Sequence, residues 1–158
     1  MQVLIVYDSI FGNTEKVALA LKDSVKEPHT VQVANVDAFS STLLAGVDLF
    51  LVGSPTRGFR PTGAISTMLK ELSQDALVGI KVAAFDTRIS IKETNSKFFK
   101  VMASLFGYAA ESISKALVRH GGTLASETHW FIVSDKEGPL REGELEHAQT
   151  WMLQLLGV

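Results

Sequence analysis

Val3-Leu4-Ile5-Val6-Tyr7-Asp8-Ser9-Ile10-Phe11-Gly12-Asn13-Thr14-Glu15-Lys16 sets the terms for the rest of the chain. Its first five residues are an unbroken apolar run, as expected of a strand buried on both faces. From Glu15 to Lys26 the period changes: Val17, Leu21 and Val25 fall one turn apart on one helical face. Between strand and helix lies a short polar loop with two hydroxyls, Ser9 and Thr14, flanking Gly12 and Asn13. The first amides of a helix have no partner within it, and the helix dipole favours an anion there. Hydroxyls add donors, and a glycine lets the backbone curl around a phosphate. Ser9–Thr14 holds no Lys or Arg. Such a loop binds through neutral donors, which suits a phosphate monoester packed close to the backbone. The plainer reading of the same residues is a helix start, with Thr14 as its cap and Gly12 as a turn.

The same alternation continues outward. Strand-like runs recur at Val31–Val36, Leu49–Val52, Val82–Phe85 and Trp130–Val133. Only Val31–Val36 alternates apolar with polar, as an edge strand does. Helical patterns occupy Thr62–Leu72, Ala109–Arg119 (stopped by Gly121-Gly122) and Glu142–Leu156, with room only for a short helix between Val36 and Asp48. Strands alternating with helices imply an α/β fold: a three-layer, doubly wound sandwich around a five-stranded parallel sheet. With right-handed crossovers the expected strand order is 2-1-3-4-5. No repeat, low-complexity segment or linker divides the chain, so residues 1–158 read as one domain.

Composition narrows the function. A formal charge of −2, from 15 basic and 17 acidic side chains, offers no basic stripe for nucleic acid. The absence of cysteine removes disulfides, thiol catalysis and thiolate-held metals or clusters. The four histidines, His29, His120, His129 and His147, show no metal-ligand spacing, so no metal is expected. No stretch approaches the ~18 apolar residues of a membrane span, and no basic leader precedes the first strand. The expectation is a cytoplasmic protein. G-x-x-x-x-G-K-[ST] is missing, and so is G-x-G-x-x-G after strand one. A phospho-acceptor receiver of the same strand order needs an Asp after strand three, where this chain has Gly53-Ser54. In a doubly wound sheet the ligand sits at the carboxyl ends of the strands, so the loops after strands one, three and four carry the functional reading.

At those loops the chain resembles the flavodoxin family. The family's phosphate loop, [TS]-x-T-G-x-T, has its counterpart in Ser9-Ile10-Phe11-Gly12-Asn13-Thr14. Phe11 stands where the family often has Thr, and an aromatic at this point also resembles the flavodoxin domain of flavodiiron proteins. After strand three, Gly53-Ser54-Pro55-Thr56-Arg57-Gly58-Phe59 resembles the flavin-contacting S-P-T-W-G, with Arg57 in place of Trp. The resemblance implies that Pro55, Thr56, Arg57, Gly58 and Phe59 approach a flavin ring. At Gly58 it implies a peptide that turns to meet the reduced ring's N5. Arg57 or Phe59 is the stacking candidate. After strand four, Asp86, Thr87 and Arg88 fall where the family holds the ring's pyrimidine edge, usually with an aromatic and acidic residues. A cation there raises the potential of the reduced, anionic ring, so Arg88 is expected to make the low-potential couple less negative.

The match breaks between Ile89 and Leu105. This added segment carries Phe98, Phe99, Val101, Met102 and Leu105, with Thr94 or Asn95 as a candidate helix cap. It reads as a helix packed on the domain or a dimer mate, or else as a lid or partner surface beside the flavin. Trp130 and Trp151 read as core or partly buried, and Glu137-Gly138-Pro139 as a turn. Taken together, the resemblance implies FMN as cofactor and electron transfer as function, with no catalytic side chain. The partners implied are a reductase and an acceptor, for a monomer or weak homodimer. The alternatives are an FMN-dependent oxidoreductase acting on a quinone, nitro compound or protoporphyrinogen, and a binding module of the same fold without flavin. Flavodoxins are typically strongly acidic, which steers them onto basic partners. A charge of −2 implies weaker steering or a different partner.

Overall fold

β1 (Gln2–Tyr7) pairs in parallel with β2 (Thr30–Asn35) on one side and β3 (Leu49–Pro55) on the other. β4 (Lys81–Ile89) pairs with β3, again in parallel. The fifth position is filled in two pieces, β5 (Thr123–Leu124) and β6 (His129–Val133), both parallel to β4. The computed structural model describes residues 1–91 and 95–158; Thr94, one of the two expected helix caps, lies outside them. The expected 2-1-3-4-5 order holds, with β2 at an edge. The interruption in the last strand is new. Ala125 N still donates to Val82 O, and pairing resumes only at His129.

Because strand side chains alternate faces, each central strand feeds two cores. Leu4, Val6, Phe50, Val52, Val82 and Ala84 point to one side. There they meet α2 (Gly63–Glu71) and α4 (Ala109–Arg119) through Ile65, Leu69, Ile113 and Leu117. Val3, Ile5, Leu49, Leu51, Ala83 and Phe85 point to the other side. They meet α1 (Asn13–Asp23) and α5 (Glu144–Leu156) through Val17, Leu21, Trp151 and Met152. Gly53 belongs to this second side: a Cβ there would stand 2.1 Å from the Phe85 ring. Only glycine lets Phe85 lie across the end of β3 and reach Phe131 and Trp151, with ring centroids 6.0 and 6.1 Å away.

Helix ends differ slightly from the periodicity. α1 starts two residues before Glu15, because Gly12 at φ 85 turns the chain straight into the helix. It stops at Asp23, where the Ser24 hydroxyl bonds back to Leu21 O. The expected short helix after Val36 is two 3₁₀ turns, Val36–Ala38 and Ser41–Leu44, entered from Asn35 and Ser40 side-chain caps. The added segment forms α3 (Lys97–Phe106), whose N-cap is Ser96 and not Asn95. None of its residues is buried, so it does not pack on the domain as a core helix. Trp151 is buried, but Trp130 is 47% exposed. Among the described residues no helix is long and apolar enough to cross a membrane.

Candidate functional site

The loops after β1, β3 and β4 meet the loop after β6 around a cavity of about 400 Å³ at the carboxyl edge of the sheet. Ser9, Ile10, Phe11, Asn13 and Thr14 form one wall. Pro55, Thr56, Arg57 and Gly58 form a second, and Thr87, Arg88 and Ile89 the floor. Phe99 from α3 and Val133 and Lys136 from the last strand and its loop complete it.

The Ser9–Thr14 loop is built as its residues dictate. No side chain caps α1, so its opening amides are left to whatever enters the cavity. Thr14 does not serve as that cap. Its hydroxyl instead meets the Thr87 hydroxyl at 2.8 Å, tying the loop to β4. Ser9 Oγ is shut off from solvent with no hydrogen-bond partner, the sole such side-chain atom among the described residues. A buried hydroxyl left unpaired costs about 1–3 kcal/mol unless a ligand satisfies it. Glu15, the one acid in the first turn, is engaged by the Tyr7 phenol, which donates to Oε1 at 2.8 Å. Burial, and secondarily that contact, pushes the Tyr7 pKa up.

The second wall is a two-residue hairpin. Arg57 N donates to Arg60 O and Arg60 N to Arg57 O, at 2.8 and 3.1 Å. Gly58 (φ 53) and Phe59 (φ 64) are both left-handed, as a type I′ turn requires. Phe59 accepts a conformation that costs a non-glycine residue roughly 1 kcal/mol. Its ring leaves the main cavity and packs 6.4 Å from both Phe99 and Tyr108, lining a neighbouring apolar cavity of about 360 Å³. Arg57 reaches over the Phe11 ring, 5.8 Å from its centroid. Thr56 Oγ1 accepts from Ala109 N, which locks this wall to the start of α4.

The floor departs most from the sequence reading. Asp86 and Arg88, two apart on β4, share the face toward α4. Arg88 Nε and Nη2 both donate to the Asp86 carboxylate at 2.6 Å, and Ala110 N donates to Oδ2 at 3.0 Å. Asp86 is fully buried behind Arg88 and does not line the cavity. Burial pushes its pKa up, opposed by Arg88 and the Ala110 amide. The Arg88 guanidinium lies over Tyr108, 3.6 Å from the ring centroid, and 5.0 Å from that of Trp130. It is therefore a paired cation. The cation expected at this point is present, with its charge offset by Asp86.

Of the fourteen residues singled out in the sequence, all but Gly12, Phe59 and Asp86 line the main cavity. Gly12 shapes the loop from behind. Ile89, Val133 and Lys136 line it too and were missed; Phe99 of the added segment also reaches it. Lys136 was within reach: the rule that selects loops at the carboxyl edge selects the loop after β6 as well. That loop is pinned to the site by Asn13 Nδ2, which donates to Glu137 O at 3.0 Å. No carboxylate of the described residues lines the cavity, while Arg57, Arg88 and Lys136 do. Neutral donors, a helix start and one nearby ammonium suit a monophosphate, so the residues present fit FMN.

No protein-family model and no curated protein matches the sequence. Solved structures do match. Oxidised flavodoxin 1 from Bacillus cereus superposes with a TM-score of 0.78 at 16% identity, over 99% of this chain and 98% of that one. Oxidised flavodoxin 2 from the same organism gives 0.78 at 23% identity, over 99% of each chain. The rubredoxin oxygen:oxidoreductase of Desulfovibrio gigas gives 0.72 at 20% identity; 98% of this chain is covered and 34% of that one. Full-length superposition at such low identity is a statement about architecture: this chain has the flavodoxin-like fold.

Proposed function

We propose that the chain binds FMN in the cavity at the carboxyl edge and carries electrons between a reductase and an acceptor protein in the cytoplasm. The observation that carries this reading is Ser9 Oγ, buried and unpartnered at a helix start that no side chain caps. When bound, FMN supplies one- or two-electron chemistry, and the protein positions and tunes it. Ser9 Oγ and the first amides of α1 would hold the phosphate, with Lys136 adding charge from the opposite loop. The Thr14–Thr87 hydroxyl pair fixes the floor beside them. Arg57 and Gly58 would border the ring, and the hairpin bonds from Arg57 to Arg60 keep that border in place. Ile10 and Phe11, both substantially exposed, stand at the mouth, where they would restrict water.

Titration of cofactor-free protein with FMN, followed by quenching of flavin fluorescence, tests the reading. Saturable binding is expected, with an absorbance band at about 450 nm characteristic of the cofactor. Ser9→Ala should weaken FMN about tenfold, the effect of one hydrogen bond to a charged group, and leave riboflavin unchanged. Equal affinity for FMN and riboflavin would remove the phosphate assignment, and no binding of either would remove the cofactor.

A second reading, an FMN-dependent oxidoreductase, draws support from the apolar cavity between Phe59, Phe99 and Tyr108 beside the first. Direct oxidation of NAD(P)H with an added quinone separates the two. A carrier is reduced only through a partner reductase.

A further inference from the structure

On the far side of Arg88 from the Ser9 loop lies another cavity, of about 570 Å³. Arg88, Ile91, Lys100, Ala103, Tyr108 and Trp130 account for its character. The volume falls within the ~300–1,000 Å³ range of small-molecule sites. Its walls come from four elements: the end of β4 and the turn after it, α3, the cap of α4, and β6.

Three observations define what would fill it. Two aromatic rings stand in its wall, Tyr108 half-buried and Trp130 47% exposed, both held in place by the Arg88 guanidinium against them. An exposed Trp of fixed orientation is an apolar surface awaiting cover, with an edge suited to stacking. The apolar contribution of Ile91 and Ala103 extends that surface. The charges are unequal in kind. Arg88 is neutralised by the buried Asp86 carboxylate, whereas Lys100 has no ion pair with any described residue. No acidic residue lines the cavity among those described. Lys100 is therefore the described charge in this wall left to attract an anion, and the two rings favour a flat ligand.

We propose that this cavity is a second ligand site, for a planar aromatic molecule bearing an anionic group, seated against Tyr108 and Trp130 with its anion toward Lys100. It shares Arg88 and Ile89 with the cavity at the Ser9 loop, so the two ligands would be neighbours. The assignment goes beyond the cofactor reading and does not depend on it. It also gives α3 a role that burial does not: the helix contributes Lys100 and Ala103 to a wall and packs nothing into the core.

Calorimetric titration of the whole chain with 2-naphthoate, and with its neutral isostere 2-naphthamide, tests it. One saturable site is expected, with the acid bound about tenfold more tightly than the amide. Ala103→Trp, which fills the cavity from the exposed helix, should abolish binding of both. Lys100→Gln, a surface change that leaves the fold alone, should erase the preference for the acid. Neither should alter the FMN titration. No saturable binding of 2-naphthoate, or wild-type binding by Ala103→Trp, overturns the site. An undiminished preference in Lys100→Gln overturns its anionic character. Chain that fails to take up FMN but binds 2-naphthoate in this pattern loses the cofactor reading and keeps this one.

Discussion

Arg88 shows how far a single side chain's meaning depends on its neighbour two residues back. Read in sequence, it is a cation at the pyrimidine edge of a ring. In the structure its charge is taken by Asp86, in a bidentate pair shielded by Tyr108. Any effect of Arg88→Ala on a flavin potential would therefore mix two causes, because the substitution also strands a buried carboxylate. Stranding such a charge costs about 3 kcal/mol. Urea denaturation of Arg88→Ala should show a loss of that order, and Asp86→Asn combined with Arg88→Ala should recover part of it. A loss under about 1 kcal/mol, the size of an exposed ion pair, would contradict the burial described. Ser9 teaches the complementary lesson. Its hydroxyl was legible as a donor from residue type and position alone. That it is buried and unpartnered was not, since pairing is a property of three dimensions.

Among the elements, the strands were the most legible, because continuous apolar runs bounded by polar loops have few other uses. Caps and helix ends were less so. Thr14 had the residue type of a cap, and β4 claimed its hydroxyl instead. The break between β5 and β6 left no periodic signature, since two residues are too few to show one. α3 forms where Phe98, Met102 and Leu105 have helical spacing; its apolar face was read as packed on the domain or a dimer mate, or else as a lid or partner surface. In the structure Leu105 is 70% exposed and Phe98 66%. Leu105→Glu should accordingly change the stability of the monomer by no more than about 0.5 kcal/mol, as exposed positions do. Thermal melts at low protein concentration measure this. A fall of several degrees would mean that the helix is packed after all.

For the whole molecule, one source of acid sensitivity lies on the α5 side. His129 stacks flat on Trp151, with ring centroids 4.5 Å apart, and its Nε2 meets His147 Nε2 at 2.9 Å. Burial, and secondarily the His147 charge, lower its pKa to about 4. A histidine with a depressed folded-state pKa resists the proton that the unfolded chain accepts near pH 6.5. Its contribution is therefore complete above pH 6.5 and is lost as pH falls toward about 4. With its partial exposure discounted, that amounts to about 1–2 kcal/mol. Melting temperature should decline over this window, and His129→Phe should flatten the decline. An unchanged slope would assign the acid sensitivity elsewhere.

The two-sided sheet also imposes a timetable on synthesis, which runs from the amino end. One face of the sheet is covered once α2 and α4 have emerged, by Arg119. The other has only α1 on it until α5 brings Trp151 and Met152 against Phe85 and α1. Asn13 likewise waits more than a hundred residues for the Glu137 carbonyl that pins the last loop to the Ser9 loop. A nascent chain can thus lay out Ser9–Thr14 early, yet the wall that Val133 and Lys136 add to that cavity, and the Asn13–Glu137 bond, come only after β6 has been made.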